Sequence, residues 1–493
     1  MKYNVVKDVF YTAVTQFIIT VLGILLLKLI AHQVDEENLG VYLIIRRFIG
    51  LAFPILTLNL GISLSRYISF NYKAAEQYLF VSVSIITGFI IVLFILYPVY
   101  KNILTRLLFG DQAYQLLLTP TLLFLYSNSI LLVLCDYFRG KYLFIHMNVT
   151  NIAFSVIGLL SAIAFYIPIE GLVAIRYYYF ANTAMVLLFC YLILKSDRKK
   201  KMSSLSFEKI SKAIKSFDKT IIKYGFYRVP NGFFIMGIFT VPLLVASNYF
   251  SLKITAYIGI IITILRMIQL SVVPLNTIFL PLFARKKSEN DEVVIHKNSQ
   301  MVLEFIFTLP FFISIVLYYI APELIQLWFG EKYNIIIVPL RLTSFSVGFL
   351  LAYVTIRGIL DGLYQKPYNN YIAFFGFFME LVIIFIAVKY NLSLWGLSIA
   401  LTVSVFLLGC ISIIILTKKE NLQLINKNIL LSLGVNGALG LLFYFFDRIF
   451  SFQIWNDVII KSIVIIISIS ILFIFYIKMK FNWLEEIKRR LAF

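Results

Sequence analysis

Residues 39–66 read LGVYLIIRRFIGLAFPILTLNLGISLSR. The stretch is long and apolar enough to cross a bilayer, since about 20 residues rising 1.5 Å each span a hydrocarbon core of about 30 Å. Two arginines, Arg46 and Arg47, stand inside it. Each costs roughly 2.5–3.5 kcal/mol at the centre of an inserted helix, so such residues face a polar cavity or a partner and not lipid. Helical steps of i+4, i+8, i+11 and i+15 from Arg46 reach Gly50, Pro54, Thr57 and Gly61, a small, polar face that suits a cavity wall. Adjacent helical residues point about 100° apart, so only one arginine of the pair can face that cavity squarely.

The rest of the chain has the same character. Of 493 residues, 61% are hydrophobic and 14% charged, with a mean hydropathy of +0.91. That lies outside the range of soluble globular domains. Apolar runs recur throughout, and the alternation of a β-barrel is absent. The chain reads as an all-α integral membrane protein of about fourteen spans: 9–31, 39–62, 77–99, 115–138, 147–168, 171–194, 221–249, 254–284, 299–320, 334–356, 369–389, 393–416, 428–447 and 457–478. The first run lacks a small-residue cleavage site and reads as a retained span. The eighth is long enough to tilt or break, with Pro274 and Pro281 as the break points.

The net charge of +20 sits mostly in short loops on one side, which is the positive-inside pattern. Loop 32–38 holds Asp35, Glu36 and Glu37 and no Lys or Arg. Loop 195–220 is rich in lysine, and Arg285, Lys286, Lys287, Lys418, Lys419 and the tail fall on its side. Both termini are therefore expected in the cytoplasm. No basic domain stands free of the membrane, so nucleic acid is not an expected partner. Cys135, Cys190 and Cys410 lie in apolar runs, and His32, His146 and His296 are scattered; neither a disulfide framework nor a metal site is expected. No catalytic constellation and no phosphate-cradling glycine loop occurs, so the chain reads as a non-enzyme without a cofactor, with energy supplied other than by ATP hydrolysis within it.

The halves repeat. Phe10-Tyr11 and Phe17 match Phe226-Tyr227 and Phe233; Arg46 and Pro54 match Arg266 and Pro274; LLFGDQAY (107–114) matches LWFGEKYN (327–334). Arg139-Gly140 matches Arg357-Gly358, and Gly171-Leu172 matches Gly396-Leu397, all in order at offsets of about 216–225 residues. An even number of spans per half gives both the same orientation, the parallel-repeat transporter plan with its substrate site between the halves. The expected organisation is a six-helix bundle (1–194), a basic amphipathic linker on the inner membrane surface (195–220), a second six-helix bundle (221–416), and two additional spans with a tail (417–493).

In these patterns the chain resembles the polysaccharide and O-antigen flippases of the MOP (multidrug/oligosaccharidyl-lipid/polysaccharide) superfamily. The resemblance rests on DEENLGVYLIIRRFIGLAFPILTLNLGISLSRYIS, on the LLFGDQAY and LWFGEKY loops and on IIKYGFYRVPNGFF, and reaches to about residue 416. It implies two bundles in a V that alternate between inward- and outward-facing states. The implied substrate is an undecaprenyl-pyrophosphate-linked oligosaccharide moved from the inner to the outer leaflet, with the polymerase and glycosyltransferases of the same pathway as partners. Lipid II and O-antigen-type flippases share a cationic cavity for the pyrophosphate, and Arg46, Arg47 and Arg266 match that pattern. Drug-exporting MATE relatives tend to carry a carboxylate in the first or seventh span, where this chain has Gln16, Lys28 and Arg228.

The residues themselves support such a site. Guanidinium forks fit phosphate oxygens and stay charged. Arg266 lies deep in its span; Arg46 is shallower. Thr263, Gln269 and Thr277 share the face of Arg266 and serve either the substrate or helix contacts. Arg228 precedes Pro230-Asn231-Gly232, a break, and is placed to meet phosphate entering from inside. Lys28, Arg176 and Arg341 lie near outer ends and are expected to snorkel. Glu304 and Glu380 serve either ion coupling or a salt bridge, the bridge being favoured; Asp136 and Arg139 form a local pair. A MATE-like drug or cation exporter, an integral-membrane polymerase or glycosyltransferase, and a non-transporting scaffold are the competing readings. The missing first-span acid counts against the exporter, and outer loops of no more than about fifteen residues count against the polymerase.

Overall fold

Lipid leaves an apolar chain few choices, because every backbone N–H and C=O must be satisfied within the segment. The structure, a computed structural model, describes residues 5–70, 74–201, 219–275, 279, 283, 286–287, 289–364, 366–424, 426–449 and 454–478. The described residues are helical with no strand. Most of the basic linker (202–218), the end of the tail (479–493), Thr277 and Pro281 lie outside them.

The chain divides into two compact units, Met1–Gly259 and Ile260–Phe493. The first holds α1 (Val5–Gln33), α2 (Glu36–Leu56), α3 (Leu60–Phe70), α4 (Ala75–Phe109), α5 (Leu118–Gly140), α6 (Phe144–Ser161), α7 (Gly171–Lys201), α8 (Lys219–Phe226) and α9 (Val229–Val245). Helix α10 (Leu252–Leu270) begins in the first unit and ends in the second. The second continues with α11 (Glu292–Phe329), α12 (Ile337–Ser344), α13 (Val347–Leu363), α14 (Tyr368–Lys389), α15 (Ser393–Glu420), α16 (Lys427–Ile449) and α17 (Ile454–Lys478).

Among the described residues twelve helices are long and apolar enough to cross a membrane, or thirteen if the pair 331–344 and 347–363, bent by 51°, is one span. Helix α17 contributes a shorter apolar segment, Ile459–Leu472. The expected fourteen spans are thus approximate, and the chain is a multi-pass membrane protein. Lipid-facing surface is visible on α4, where Ile95, Val99 and Ile103, one turn apart, are 70%, 76% and 71% exposed.

The repeat is visible in local geometry. Gly110 ends α4 and Gly330 ends α11, at φ of 78° and 92°, conformations that cost a side chain strain. A 3-10 turn follows each, Gln112–Leu117 and Glu331–Ile336. The matched segments LLFGDQAY and LWFGEKYN are therefore the same device, a helix stop that re-aims the chain into the next span.

The second span departs from expectation. It does not run to residue 62: α2 stops at Leu56, Leu58 and Asn59 both take φ of 49°, and α3 starts at Leu60. Nor is the small face of α2 a cavity wall. A Cβ on Gly40 would lie 2.2 Å from the Leu252 carbonyl oxygen, and one on Gly50 3.6 Å from Met236 Sδ. Gly232 closes on Pro54, while Gly61, on the new helix, lies against Asp136. Small residues let helix backbones approach in lipid, so the face packs α2 onto α9 and the start of α10. Gly40→Ala should therefore cost about 1–3 kcal/mol, because the clash is with backbone. A lowered Tm of the purified protein in detergent checks this; an unchanged Tm would mean that the two helices part readily there.

The same end of the unit is tied by polar contacts. Glu36 accepts from Lys253 Nζ at 2.7 Å and from the Tyr257 hydroxyl at 3.1 Å. Ser247 Oγ donates to the Leu108 carbonyl at 2.9 Å, and Asn248 Nδ2 to that of Leu107 at 2.8 Å.

Candidate functional site

Arg46 sits in the third turn of α2, one turn after Tyr42. Its guanidinium lies by Tyr42 of its own helix and by Tyr178 and Tyr179 of α7. The Tyr42 hydroxyl is within hydrogen-bonding reach of the guanidinium. The rings form a cluster: Tyr42 and Tyr178 edge to face at 5.7 Å, Tyr42 and Tyr179 stacked at 6.0 Å, Tyr178 and Tyr179 edge to face at 5.0 Å. Phe124 of α5 backs Tyr179 at 5.1 Å, and Phe165 backs Tyr178 at 5.5 Å. Arg46 Nη1 is shielded from solvent and has no hydrogen-bond partner. Among the described residues no carboxylate acts on this cation; its neighbours are phenols. An uncompensated charge in such surroundings costs several kcal/mol unless an anion joins it.

Arg47 cannot share this direction, being about 100° round the helix. Its carbonyl accepts from Thr240 Oγ1 of α9 at 3.3 Å, part of the α2–α9 contact. Arg228 occupies the expected break: it is the N-cap of α9, after α8 ends at Phe226 and with Pro230 in the first turn of α9. This break abuts the one after α2, since a Cβ on Gly225 would lie 2.4 Å from the Leu58 carbonyl oxygen. Two interrupted helices thus meet in the first unit, an arrangement tolerated in a membrane only where protein or a cavity surrounds the freed backbone. Pro54, beside Gly232, is eight residues from Arg46, so the two positions lie about 12 Å apart along α2, with the break just beyond Pro54.

Arg266 belongs to the second unit, four residues before the end of α10. The chain turns at Ser271–Val272, just ahead of Pro274, so the long eighth run is interrupted as expected. Arg266 Nη1 donates to Gln269 Oε1 at 2.9 Å. Gln269 is therefore a partner of Arg266, and Thr263, one turn earlier, is buried.

The two acids differ. Glu304 is buried in α11, and its Oε1 accepts from the amides of Asn426 at 3.3 Å and Asn428 at 3.1 Å. Glu380 of α14 is fully buried, and neither of its oxygens has a hydrogen-bond partner. The favoured salt bridge is thus not formed at Glu380. The Asp136–Arg139 pair is formed at 2.6 Å, and Arg139 Nη2 also donates to Ser65 Oγ at 3.3 Å. Arg341 is held locally: its Nε donates to the Tyr318 carbonyl at 3.2 Å, and its guanidinium lies over the Tyr318 ring.

The tyrosines around Arg46 were missed by the sequence reading. Tyr42 carries a usable signal, a hydroxyl one turn from an intramembrane arginine. Tyr178 and Tyr179 belong to the run RYYYF (176–180), which marks α7 as unusual but does not say what it faces.

No family model and no curated protein sequence matches the chain. Solved structures do. The chain is similar to the lipid II flippase MurJ in an inward closed conformation, with a TM-score of 0.71 at 15% identity over 95% of this chain and 99% of that one. It is similar to an inward-facing multidrug resistance MATE family transporter of the MOP superfamily, with a TM-score of 0.60 at 15% identity over 83% and 98%. A eukaryotic MATE transporter, AtDTX14, gives 0.56 at 15% identity over 87% and 98%. These neighbours are transporters and flippases, not enzymes. At such identities the likeness concerns the fold alone: the chain folds as these structures do.

Proposed function

We propose that the protein is a flippase for an undecaprenyl-pyrophosphate-linked oligosaccharide, an O-antigen, capsule or similar repeat unit. It moves this lipid from the inner to the outer leaflet of a bacterial cytoplasmic membrane, with both termini cytoplasmic. One observation carries the reading: the Arg46 guanidinium, held inside a membrane helix bundle with Nη1 free and, among the described residues, no carboxylate acting on it. An exporter of cationic drugs needs the opposite polarity, and the span Tyr11–Gln33 contains no Asp or Glu. The fold is shared equally with MATE transporters, so it is the charge of the site that favours an anionic cargo. Arg266 with Gln269, Arg47 and Arg228 are assigned to the phosphate path, with Thr263 and Thr277 as further polar groups on it. The organisation into residues 1–194, 195–220, 221–416 and 417–493 belongs to the same proposal, as do a polymerase and glycosyltransferases as partners.

The test is translocation in proteoliposomes of a fluorescent undecaprenyl-pyrophosphate oligosaccharide against a fluorescent organic cation. Transport of the lipid and not of the cation is expected; the reverse removes the reading. The energetics give a further prediction. A substrate carrying two negative charges gains roughly 4–5 kcal/mol on leaving a compartment held 100 mV negative. A potential imposed with valinomycin, negative on the side of origin, should therefore raise the rate several-fold. Indifference to potential together with dependence on a pH or Na⁺ gradient would instead assign coupling to Glu304 or Glu380.

A further inference from the structure

The Arg46 site poses a physical problem that the arginine alone does not solve. A guanidinium is a planar fork on a long, flexible stem, and it is useful as an anion receiver only if its direction is fixed beforehand. Lipid-facing arginines escape to the interface. Something must hold Arg46 inward without neutralising it, which rules out a carboxylate as the holder.

We propose that Tyr42 is a positioning residue for Arg46, and that Tyr178 and Tyr179 hold Tyr42 in turn. This rests on the reading of Arg46 as the receiver of a phosphoryl anion. The spacing places Tyr42 on the same side of α2 as Arg46, four residues earlier. Its phenol oxygen is within reach to accept from one guanidinium N–H, while Nη1 remains without a partner. A phenol oxygen can accept that bond and stay neutral, so the positive charge persists for the anion. The Tyr42 and Tyr178 hydroxyls are also within hydrogen-bonding reach of each other.

Tyr42 is itself immobilised. Tyr179 stacks on its ring at 6.0 Å, with the planes 23° apart, and the Tyr179 hydroxyl donates to the Tyr42 carbonyl at 3.2 Å. Tyr178 meets the ring edge-on at 5.7 Å. The three side chains are buried, at 2%, 3% and 1% exposure for Tyr42, Tyr178 and Tyr179. The cluster therefore ties the direction of a residue on α2 to the position of α7. Phenylalanine at any of these positions would preserve the packing; only the hydroxyls explain why the rings are tyrosine.

The experiment is a double-mutant cycle on the full-length protein in nanodiscs, read as the Kd for radiolabelled undecaprenyl pyrophosphate. Arg46→Ala should weaken binding about 100-fold or more, and Tyr42→Phe about 10-fold, as expected for losing a hydrogen bond to a charged group. The double variant should bind no more weakly than Arg46→Ala, because Tyr42 acts through Arg46. Tyr178→Phe serves as a second arm, with a smaller loss, about 3-fold, that also vanishes in the Arg46→Ala background. A purely structural tyrosine would give losses that multiply in the double variant. Multiplied losses, or no effect of either tyrosine variant where Arg46→Ala weakens binding, overturn the proposal and leave the reading of Arg46 standing. Unaltered binding by Arg46→Ala overturns that reading and the proposal with it.

Discussion

Replacing Arg46 by alanine should abolish transport of the lipid-linked oligosaccharide while leaving the Tm of the protein unchanged or raised. The two outcomes belong together and follow from one feature. A structural arginine in a membrane bundle earns its place through a carboxylate or several carbonyls, and its removal orphans them, at about 3–5 kcal/mol for a buried pair. Among the described residues no carboxylate acts on Arg46; around it are phenols, and Nη1 is shielded without a bond. Removing it takes away a half-buried charge whose Nη1 is shielded and unpartnered, so stability is not expected to fall. Strain of this kind persists at sites where function needs it. A thermal-shift measurement beside the proteoliposome assay separates the readings: lost transport with a Tm lowered by many degrees would mark Arg46 as structural. Arg266→Ala is the useful companion. Its guanidinium already engages Gln269, so the alanine variant leaves an amide without its partner and should lose some stability as well as transport.

How much of this could be read in advance depended on what kind of physics wrote it. Composition and periodicity identify membrane helices because lipid allows so little else. LLFGDQAY and LWFGEKYN were legible as repeated segments because they recur in order, but that Gly110 and Gly330 end their helices there was not, since the spans were expected to stop at 99 and 320. Pro230 and Pro274 signalled breaks, and both helices are interrupted beside them. The break at Leu58–Asn59 was not legible. No glycine marks it, and Pro54 lies within a helix that continues past it. What fits there is a neighbour distant in sequence, Gly225, whose missing side chain makes room for the Leu58 carbonyl. The site shows the same division. An arginine in an apolar run announces itself, because its cost is local. The small face beside it was read as cavity wall, yet small residues serve equally for close helix packing, and only the contact of Pro54 with Gly232 decides between them. Tyr178 and Tyr179 lie more than a hundred residues from Arg46 in a run of aromatics, and nothing in spacing alone brings them to it.

Breaking the ion pair between Lys461 and Glu323 should destabilise the second unit more than any surface change. Lys461 of α17 and Glu323 of α11 meet at 2.7 Å with side chains only 5% and 11% exposed. The ammonium also lies over the Tyr319 ring at 4.6 Å, and Tyr319 stacks on Phe443 of α16 at 4.6 Å. One lysine thus joins both added helices to α11 through a core of Phe312, Tyr319, Leu439, Phe443 and Leu472. In lipid the apolar packing of such helices has little driving force of its own, since leaving for the bilayer costs them little. The polar pair is what distinguishes the docked position from any other. Lys461→Met leaves Glu323 buried and unpaired, and a loss of about 3–5 kcal/mol is expected. Lys461→Met combined with Glu323→Leu removes both charges and should recover most of that loss, because a matched apolar pair avoids the desolvation penalty. Protease accessibility of the loop 421–426, together with Tm, reads the outcome. If the double variant is as unstable as the single, the pair is needed for its charge and not merely for its balance, and the two helices depend on it for their place in the fold.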